Sequence, residues 1–141
     1  MILLAAFLLL GVAPANAEPP MNIVSSTRPV HTYSIVARDP ETGQMGVAVQ
    51  SHWFSVGSVV AWAEAGVGAV ATQSLVEVSY GPLALDLLRA GRSPEAALRA
   101  LKAADPSPEV RQVAIVDAEG RVAVHTGSGC IPMAGDHAGE G

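Results

Sequence analysis

The pattern of apolar and polar positions predicts a β-hairpin that begins near residue 31. Within residues 31–38, every odd-numbered position from Tyr33 onward is apolar, so these side chains share one face of an extended strand. A second alternating segment covers residues 44–51, and residues 39–43 between them place Pro and Gly where a turn favours them. Two short strands joined by such a turn are typical of a hairpin.

Apolar runs replace the alternation further along the chain. An aromatic connector over residues 52–56 leads to a run at 58–63, and the turn residues 64–66 separate it from a second run at 67–74. The two runs predict a third and a fourth strand. The second run is nearly all apolar, which is typical of a strand covered on both faces.

The remaining elements favour the α+β class. Residues 80–91 and 93–105 have helical spacing with Pro near each start, Ser93 as an N-cap and Gly91 as a C-terminal cap. Residues 111–116 and 121–126 predict a final hairpin. The helices cluster rather than alternating with strands, which excludes a doubly wound sheet.

The ends of the chain predict an exported protein whose domain is incomplete. Residues 1–17 match a signal peptide, with an apolar stretch too short to span a bilayer and small residues before the cut expected after Ala17. Residues 18–30 have the composition of a linker. We therefore expect a periplasmic or extracellular protein without a stable membrane span. Its domain covers residues 31–141, and its glycine-rich end lacks a closing element, so we expect it to be truncated at the C-terminus.

Charge and composition narrow the function classes. The net charge is −5, from 8 Lys and Arg against 13 Asp and Glu, and no basic cluster occurs, which argues against nucleic-acid binding. Cys130 is the only cysteine, so a disulfide framework and a cysteine zinc site are excluded. The 4 histidines lack metal-ligand spacing. We therefore expect no cofactor and no metal.

Two short motifs are better explained by structure than by chemistry. Residues 66–71 match G-x-G-x-x-A, but β-branched residues follow where a dinucleotide site needs a helix, so a hairpin turn is the better interpretation. Residues 127–130 offer a Ser and a Cys without a nucleophile elbow, and Cys130 is best explained as a small buried side chain.

Thr32 and Ser34 point to the same side of the first strand, but Thr is common in strands and the pattern alone does not predict catalysis.

Several blocks of sequence resemble a known family. The blocks are residues 32–43, 46–49, 56–60, 65–73, 79–82 and 130–135. Together they resemble the family called domain of unknown function 1028, which is similar to the N-terminal-nucleophile (Ntn) hydrolases. The resemblance implies a four-layer α-β-β-α sandwich and a family domain that continues past Gly141.

The same resemblance implies a site around Thr32. In the Ntn class an N-terminal Thr attacks with its hydroxyl, and its own α-amine, with a pKa of about 8, accepts the proton. Signal cleavage after Ala17 leaves residues 18–31 ahead of Thr32, so a second cut is required. Ser34 is the fallback nucleophile. From its position in a flanking strand, we expect Gln73 to donate an amide hydrogen bond.

Besides the residues ahead of Thr32, the supporting cation also differs from the family pattern. Related sequences tend to have Lys where His52 stands in this chain, and the single lysine, Lys102, lies on a predicted helix far along the chain. The resemblance therefore implies that His52 or Arg38 takes the supporting role beside Thr32. Neither side chain is equivalent to an ammonium group.

Two functions fit these features. One is an exported Ntn-type amidohydrolase acting on a small amide or peptide-like substrate; added peptidoglycan-binding domains in some relatives hint at the cell wall. The other is a non-catalytic envelope protein that keeps the fold as a binding or assembly module. A homo-oligomer fits both. The N-terminal residue of the mature protein distinguishes them most directly.

Overall fold

The computed structural model describes residues 31–139 and shows a mixed α+β fold. Its strands are β1 (Tyr33–Arg38), β2 (Met45–Gln50), β3 (Ala61–Glu64), β4 (Gly68–Ser74), β5 (Arg111–Asp117) and β6 (Val122–Thr126). Its helices are α1 (Gly57–Val60), α2 (Tyr80–Arg89) and α3 (Pro94–Ala104), and a single 3₁₀ turn covers Pro108–Val110. The predictions of a signal peptide and a linker fall on residues 1–30, outside the described residues.

Two antiparallel sheets form from these strands. β1 and β2 make a two-stranded sheet in which Tyr33 is opposite Gln50 and Arg38 is opposite Met45. The other four strands make a sheet in the order β3-β4-β5-β6. The first and last hairpins of the described region, β1-β2 and β5-β6, were predicted from sequence, and the structure confirms them.

The sheets stack face to face, and helices cover only the larger one. β1 contacts β4 and β5, and β2 contacts β3 and β4, while α2 and α3 pack on the opposite face of the four-stranded sheet. β4 is therefore enclosed on both sides, and all but its last residue are buried, as the apolar run predicted. Residues 31–139 thus form three layers: hairpin, sheet and helices.

The core lies between the four-stranded sheet and the helices. Val70, Val113 and Ile115 project from the sheet and pack against Leu85 and Leu98 of α2 and α3. The helix ends follow the predicted caps: Ser93 Oγ accepts a hydrogen bond from the backbone N–H of Ala96 (3.3 Å). Gly91 has φ +79°, which a C-terminal cap requires.

The predicted strand over residues 58–63 is wrong in its first half. Gly57–Val60 forms one turn of helix, and only Ala61–Glu64 is extended. The backbone N–H groups of Val59 and Val60 both donate to the carbonyl of Val56, so local hydrogen bonds outweigh the preference of valine for strands. The glycine motif near residue 66 is the expected hairpin turn, since Gly66 has φ +73° between β3 and β4.

Candidate functional site

Thr32 lies immediately before β1, at one end of the space between the two sheets. Its side chain is half-buried, and its Oγ1 is 2.8 Å from Oγ of Ser51, which follows the last residue of β2. Ser51 Oγ also accepts a hydrogen bond from the backbone N–H of Trp53 (3.0 Å). The candidate nucleophile is therefore held across the mouth of the hairpin by a second hydroxyl.

The register shows which groups share that end of the space. Thr32, Ser34 and Arg38 alternate with the exposed residues of β1 and face the four-stranded sheet. A Cβ placed on Gly120 would lie 3.8 Å from Arg38, and Gly120 follows the end of β5. Arg38 therefore marks the opposite end, six residues of extended chain from Thr32, or about 20 Å. Arg38 does not support the Thr32 hydroxyl, contrary to one of the two expectations for a helper cation.

Gln73 faces the hairpin from the end of β4 at which β1 begins. It is only 6% exposed, and its cross-strand partner is Gln112 of β5. Gln112 Nε2 donates to Thr126 Oγ1 (3.0 Å) and to the carbonyl of Gly135 (2.9 Å). Among residues 31–139, no side-chain hydrogen bond involves Gln73. A polar donor with spare capacity thus faces the space near Thr32.

The network around Gln112 also anchors the end of the described chain. Thr126 Oγ1 donates to Asp136 Oδ2 (2.6 Å), so the segment after β6 is tied back to the edge of the sheet. The local sequence shows no pattern that connects Gln112 with Asp136. This anchor is a feature that sequence reasoning missed.

His52 lies in an exposed aromatic loop beside Ser51. Its ring centroid is 5.3 Å from that of Trp53, and the two planes are tilted by 43°. Trp53 is 70% exposed and Phe54 98%. Ser55 then adopts φ +54°, an unusual backbone conformation for a non-glycine residue. The structure places His52 next to the partner of Thr32, with its ring open to solvent.

A second polar cluster lies on the helix side of the sheet. Asp105 accepts hydrogen bonds from Arg111 (2.7 and 3.1 Å), Tyr80 Oη (2.9 Å) and the backbone N–H of Ser107 (2.9 Å). Arg111 holds the pKa of the Asp105 carboxyl well below its usual range. Burial, and then the bond to Asp105, raises the pKa of the Tyr80 phenol. Every acceptor site of Asp105 is occupied, so we interpret the cluster as structural.

Lys102 and His125 form a separate pair, also on the helix side. Lys102 Nζ is 3.1 Å from His125 Nδ1, and His125 Nε2 is 3.0 Å from the carbonyl of Pro108. The four-stranded sheet lies between this pair and Thr32. The single lysine is therefore not part of the Thr32 site.

The Cys130 thiol donates to the carbonyl of Arg111 (3.4 Å).

A polar cleft of about 180 Å³ lies at the far end of the larger sheet, away from Thr32. Its lining includes three arginines. Arg89 is paired with Asp86 (2.6 Å) and Arg121 with Asp117 (2.6 Å), whereas Arg92 forms no salt bridge among residues 31–139. The cleft is lined by residues just before β4 and at the end of β5, the opposite end of the sheet from Thr32. This cleft is not the candidate site.

Other classes of site receive no support from the described region. Residues 31–139 contain no group of three or more His, Cys, Asp or Glu side chains arranged to hold a metal ion. No helix in that part of the chain has the length and apolarity needed to cross a membrane.

The chain matches a known family over its folded part. The model of the family of unknown function DUF1028 covers residues 32–141. The chain belongs to the DUF1028 family. A crystal structure of a DUF1028 protein from Silicibacter pomeroyi is similar to it, at 34% sequence identity and a TM-score of 0.69. That match covers 72% of this chain and 48% of the other, so this chain spans about half the length of its DUF1028 relative. No protein of curated function matches it.

Proposed function

We propose that this DUF1028 protein is an exported N-terminal-nucleophile amidohydrolase that acts on a small amide or peptide-like substrate. The observation that carries the proposal is the half-buried Thr32 hydroxyl at the start of the first strand, hydrogen-bonded to Ser51 between two stacked sheets. The buried amide of Gln73 faces the same end of that space. A hydroxyl nucleophile and an amide donor are two of the three groups that acyl transfer needs.

The layer order supports the same proposal. Two stacked sheets with helices on one outer face correspond to three layers of an α-β-β-α sandwich. A second helical layer would cover the outer face of β1 and β2, where Tyr33 is 64% exposed and Ile35 61%. In the four-layer sandwich proposed for the whole domain, this apolar outer face of β1 and β2 is therefore buried.

The third group is the α-amine that a cut between His31 and Thr32 would release. Thr32 Oγ1 bonds to the substrate carbonyl carbon while the amine accepts the hydroxyl proton, and Gln73 stabilises the oxyanion. The C–N bond then breaks, and the proton passes to the leaving nitrogen. Water hydrolyses the resulting ester and restores Thr32. His52 has the supporting role beside Ser51, and Ser34 is the fallback nucleophile.

The first test is the N-terminus of the mature protein. We expect intact-mass measurement and N-terminal sequencing of exported material to find Thr32 as the first residue, after loss of residues 1–31. A protein that begins at Glu18 and is processed no further has no amine at Thr32, which would contradict this mechanism.

The second test uses Thr32 variants against a panel of N-acyl amides and short peptides. Thr32→Ser keeps a hydroxyl and retains hydrolysis, whereas Thr32→Val has the same shape without it and loses hydrolysis by at least about a thousandfold. Circular dichroism checks that both variants fold. Equal activity in the Val variant would eliminate Thr32 as the nucleophile. If the wild type hydrolyses nothing, the envelope-module alternative is favoured, because the exposed apolar face of β1 and β2 suits assembly.

A further inference from the structure

We propose that Ser51 is the positioning residue for Thr32, and that its hydroxyl donates to Thr32 Oγ1 while negative charge develops there. The inference rests on the proposed function, because it assigns a role within the same site. It starts from one contact, the 2.8 Å separation between the two side-chain oxygens. Ser51 lies opposite Thr32 because Tyr33 pairs with Gln50 in the hairpin.

The hydrogen bonds of Ser51 leave its own proton free for donation to Thr32. The backbone N–H of Trp53 can only donate, so Ser51 Oγ accepts there, at 3.0 Å. The Ser51 proton remains available. When the Thr32 proton passes to its α-amine, Thr32 Oγ1 becomes an acceptor, and Ser51 is the neighbouring hydroxyl that can supply a proton donor. Hydrogen bonds to a charged oxygen are about twice as strong as neutral ones.

The Trp53 contact fixes the position of the Ser51 oxygen beside Thr32. A free serine hydroxyl rotates among several partners, whereas the contact from Trp53 holds the oxygen on the Thr32 side. The half-buried position of both hydroxyls limits competition from water. The effect expected of Ser51 is therefore on the reactivity of Thr32 and not on substrate binding.

The experiment measures acylation of Thr32 by a β-lactone, which needs no knowledge of the natural substrate. Thr32 Oγ1 bonds to the lactone carbonyl, the ring C–O bond breaks, and the ring oxygen takes the proton, so the protein gains the full mass of the probe. Wild type, Ser51→Thr and Ser51→Val are compared in the full chain, since Thr and Val differ only in the hydroxyl. Peptide mapping locates the adduct.

We expect Ser51→Thr to react within about threefold of wild type and Ser51→Val to react about tenfold to a hundredfold more slowly at saturation. The probe concentration at half-maximal rate stays unchanged, and the pH midpoint, set by the amine, also stays unchanged. Ser58→Ala is the matched control: its hydroxyl donates to the carbonyl of Ser55 (3.0 Å) and does not contact Thr32. This control reacts like wild type.

Each outcome decides between the proposals. If Thr32 is acylated and Ser51→Val reacts at the wild-type saturating rate, the role of Ser51 is overturned while the proposed function stands. A variant that changes only the half-saturating concentration also overturns it, because Ser51 then acts through the loop. Thermal melting verifies folding, and Ser51→Ala replaces the Val variant if that one is unfolded. A wild type that is not acylated at Thr32 overturns both.

Discussion

Some polar side chains in this protein have all of their acceptor sites occupied by hydrogen bonds. Asp105 is the clearest case: its side chain is 2% exposed and receives bonds from Arg111, Tyr80 and Ser107. The carboxylate closes the end of α3 and fixes the start of β5 at the same time. These donors together offset the cost of burying its charge.

The lowered pKa of Asp105 predicts a specific loss of stability in acid. A carboxyl whose pKa is lower in the folded than in the unfolded chain stabilises the fold above its unfolded pKa of about 3.9. That contribution disappears as the pH falls below this value toward the folded pKa. We expect the melting temperature to fall steeply below about pH 4. Asp105→Asn should be less stable at pH 7 and lose less stability on acidification.

The partners of Asp105 should differ in their effect. Arg111→Met leaves a buried carboxylate without its cation and should cost about 3 kcal/mol of unfolding free energy at pH 7. Tyr80→Phe removes one neutral donor and should cost about 1 kcal/mol. Urea denaturation measures both, and equal losses would contradict the ranking.

A glycine supplies a third prediction at this scale. A Cβ on Gly127 would overlap the backbone of Glu109, which cannot move without displacing the turn before β5. Gly127→Ala should therefore cost at least about 2 kcal/mol. Gly135→Ala, where no atom lies within 4 Å of the added Cβ, should change stability by less than about 0.5 kcal/mol. Denaturant midpoints of the two variants provide the comparison.

The residues of the candidate site could be predicted from the sequence only in part. Thr32 is named by the family resemblance and Gln73 by its position in a flanking strand, but the contact of Thr32 with Ser51 depends on the hairpin register, which links positions 19 residues apart. Gln112 is linked to Asp136 through Thr126 and has no local pattern at all. Contacts that need three-dimensional register lie beyond what alternation and spacing can show.

At the scale of elements, local residue chemistry predicts where most helices and strands begin and end. The cap at Ser93 and the left-handed Gly91 are both where their residue types favour them. The exception is Gly57–Val60, where valines form a helical turn between strands. Strand propensity depends on the surface against which a segment packs, and that surface is unknown until the sheets are assembled.

The two serines that precede α2 and α3 make a matched pair. Ser93 accepts a hydrogen bond from Ala96, whereas Ser79 forms no cap bond and donates to the half-buried Glu77 (2.7 Å). Ser93→Ala should therefore reduce the unfolding free energy by about 1 kcal/mol, and Ser79→Ala by less than about 0.5 kcal/mol. Thermal denaturation of the two variants tests the difference, and a larger loss at Ser79 would refute the assignment of the caps.

At the scale of the whole molecule, the hairpin has two unlike environments. One face of β1 packs on the four-stranded sheet, and the other presents Tyr33 and Ile35 at more than half exposure. Both faces of β1 carry apolar residues. The alternation therefore predicts a strand but does not show which face packs on the four-stranded sheet. The layer order could be predicted only through the family resemblance.

The exposed face predicts self-association of residues 31–139. Ile35→Thr should reduce concentration-dependent association in sedimentation velocity without lowering the melting temperature. Val36→Thr changes the adjacent side chain, which faces the other sheet, and should lower the melting temperature while leaving association unchanged. The opposite pattern would show that the faces have been assigned the wrong way round.

The strand order also leads to an expectation about the order of folding events. β1 pairs with β2 across a short turn, and α2 packs on α3 across another, so both units can form from local contacts. The central pair, β4 with β5, must instead close a loop that runs through residues 75–110. Loop closure of that length is slow compared with hairpin formation. We therefore expect the middle of the larger sheet to assemble after these local units, so that the inter-sheet space beside Thr32 forms late in folding.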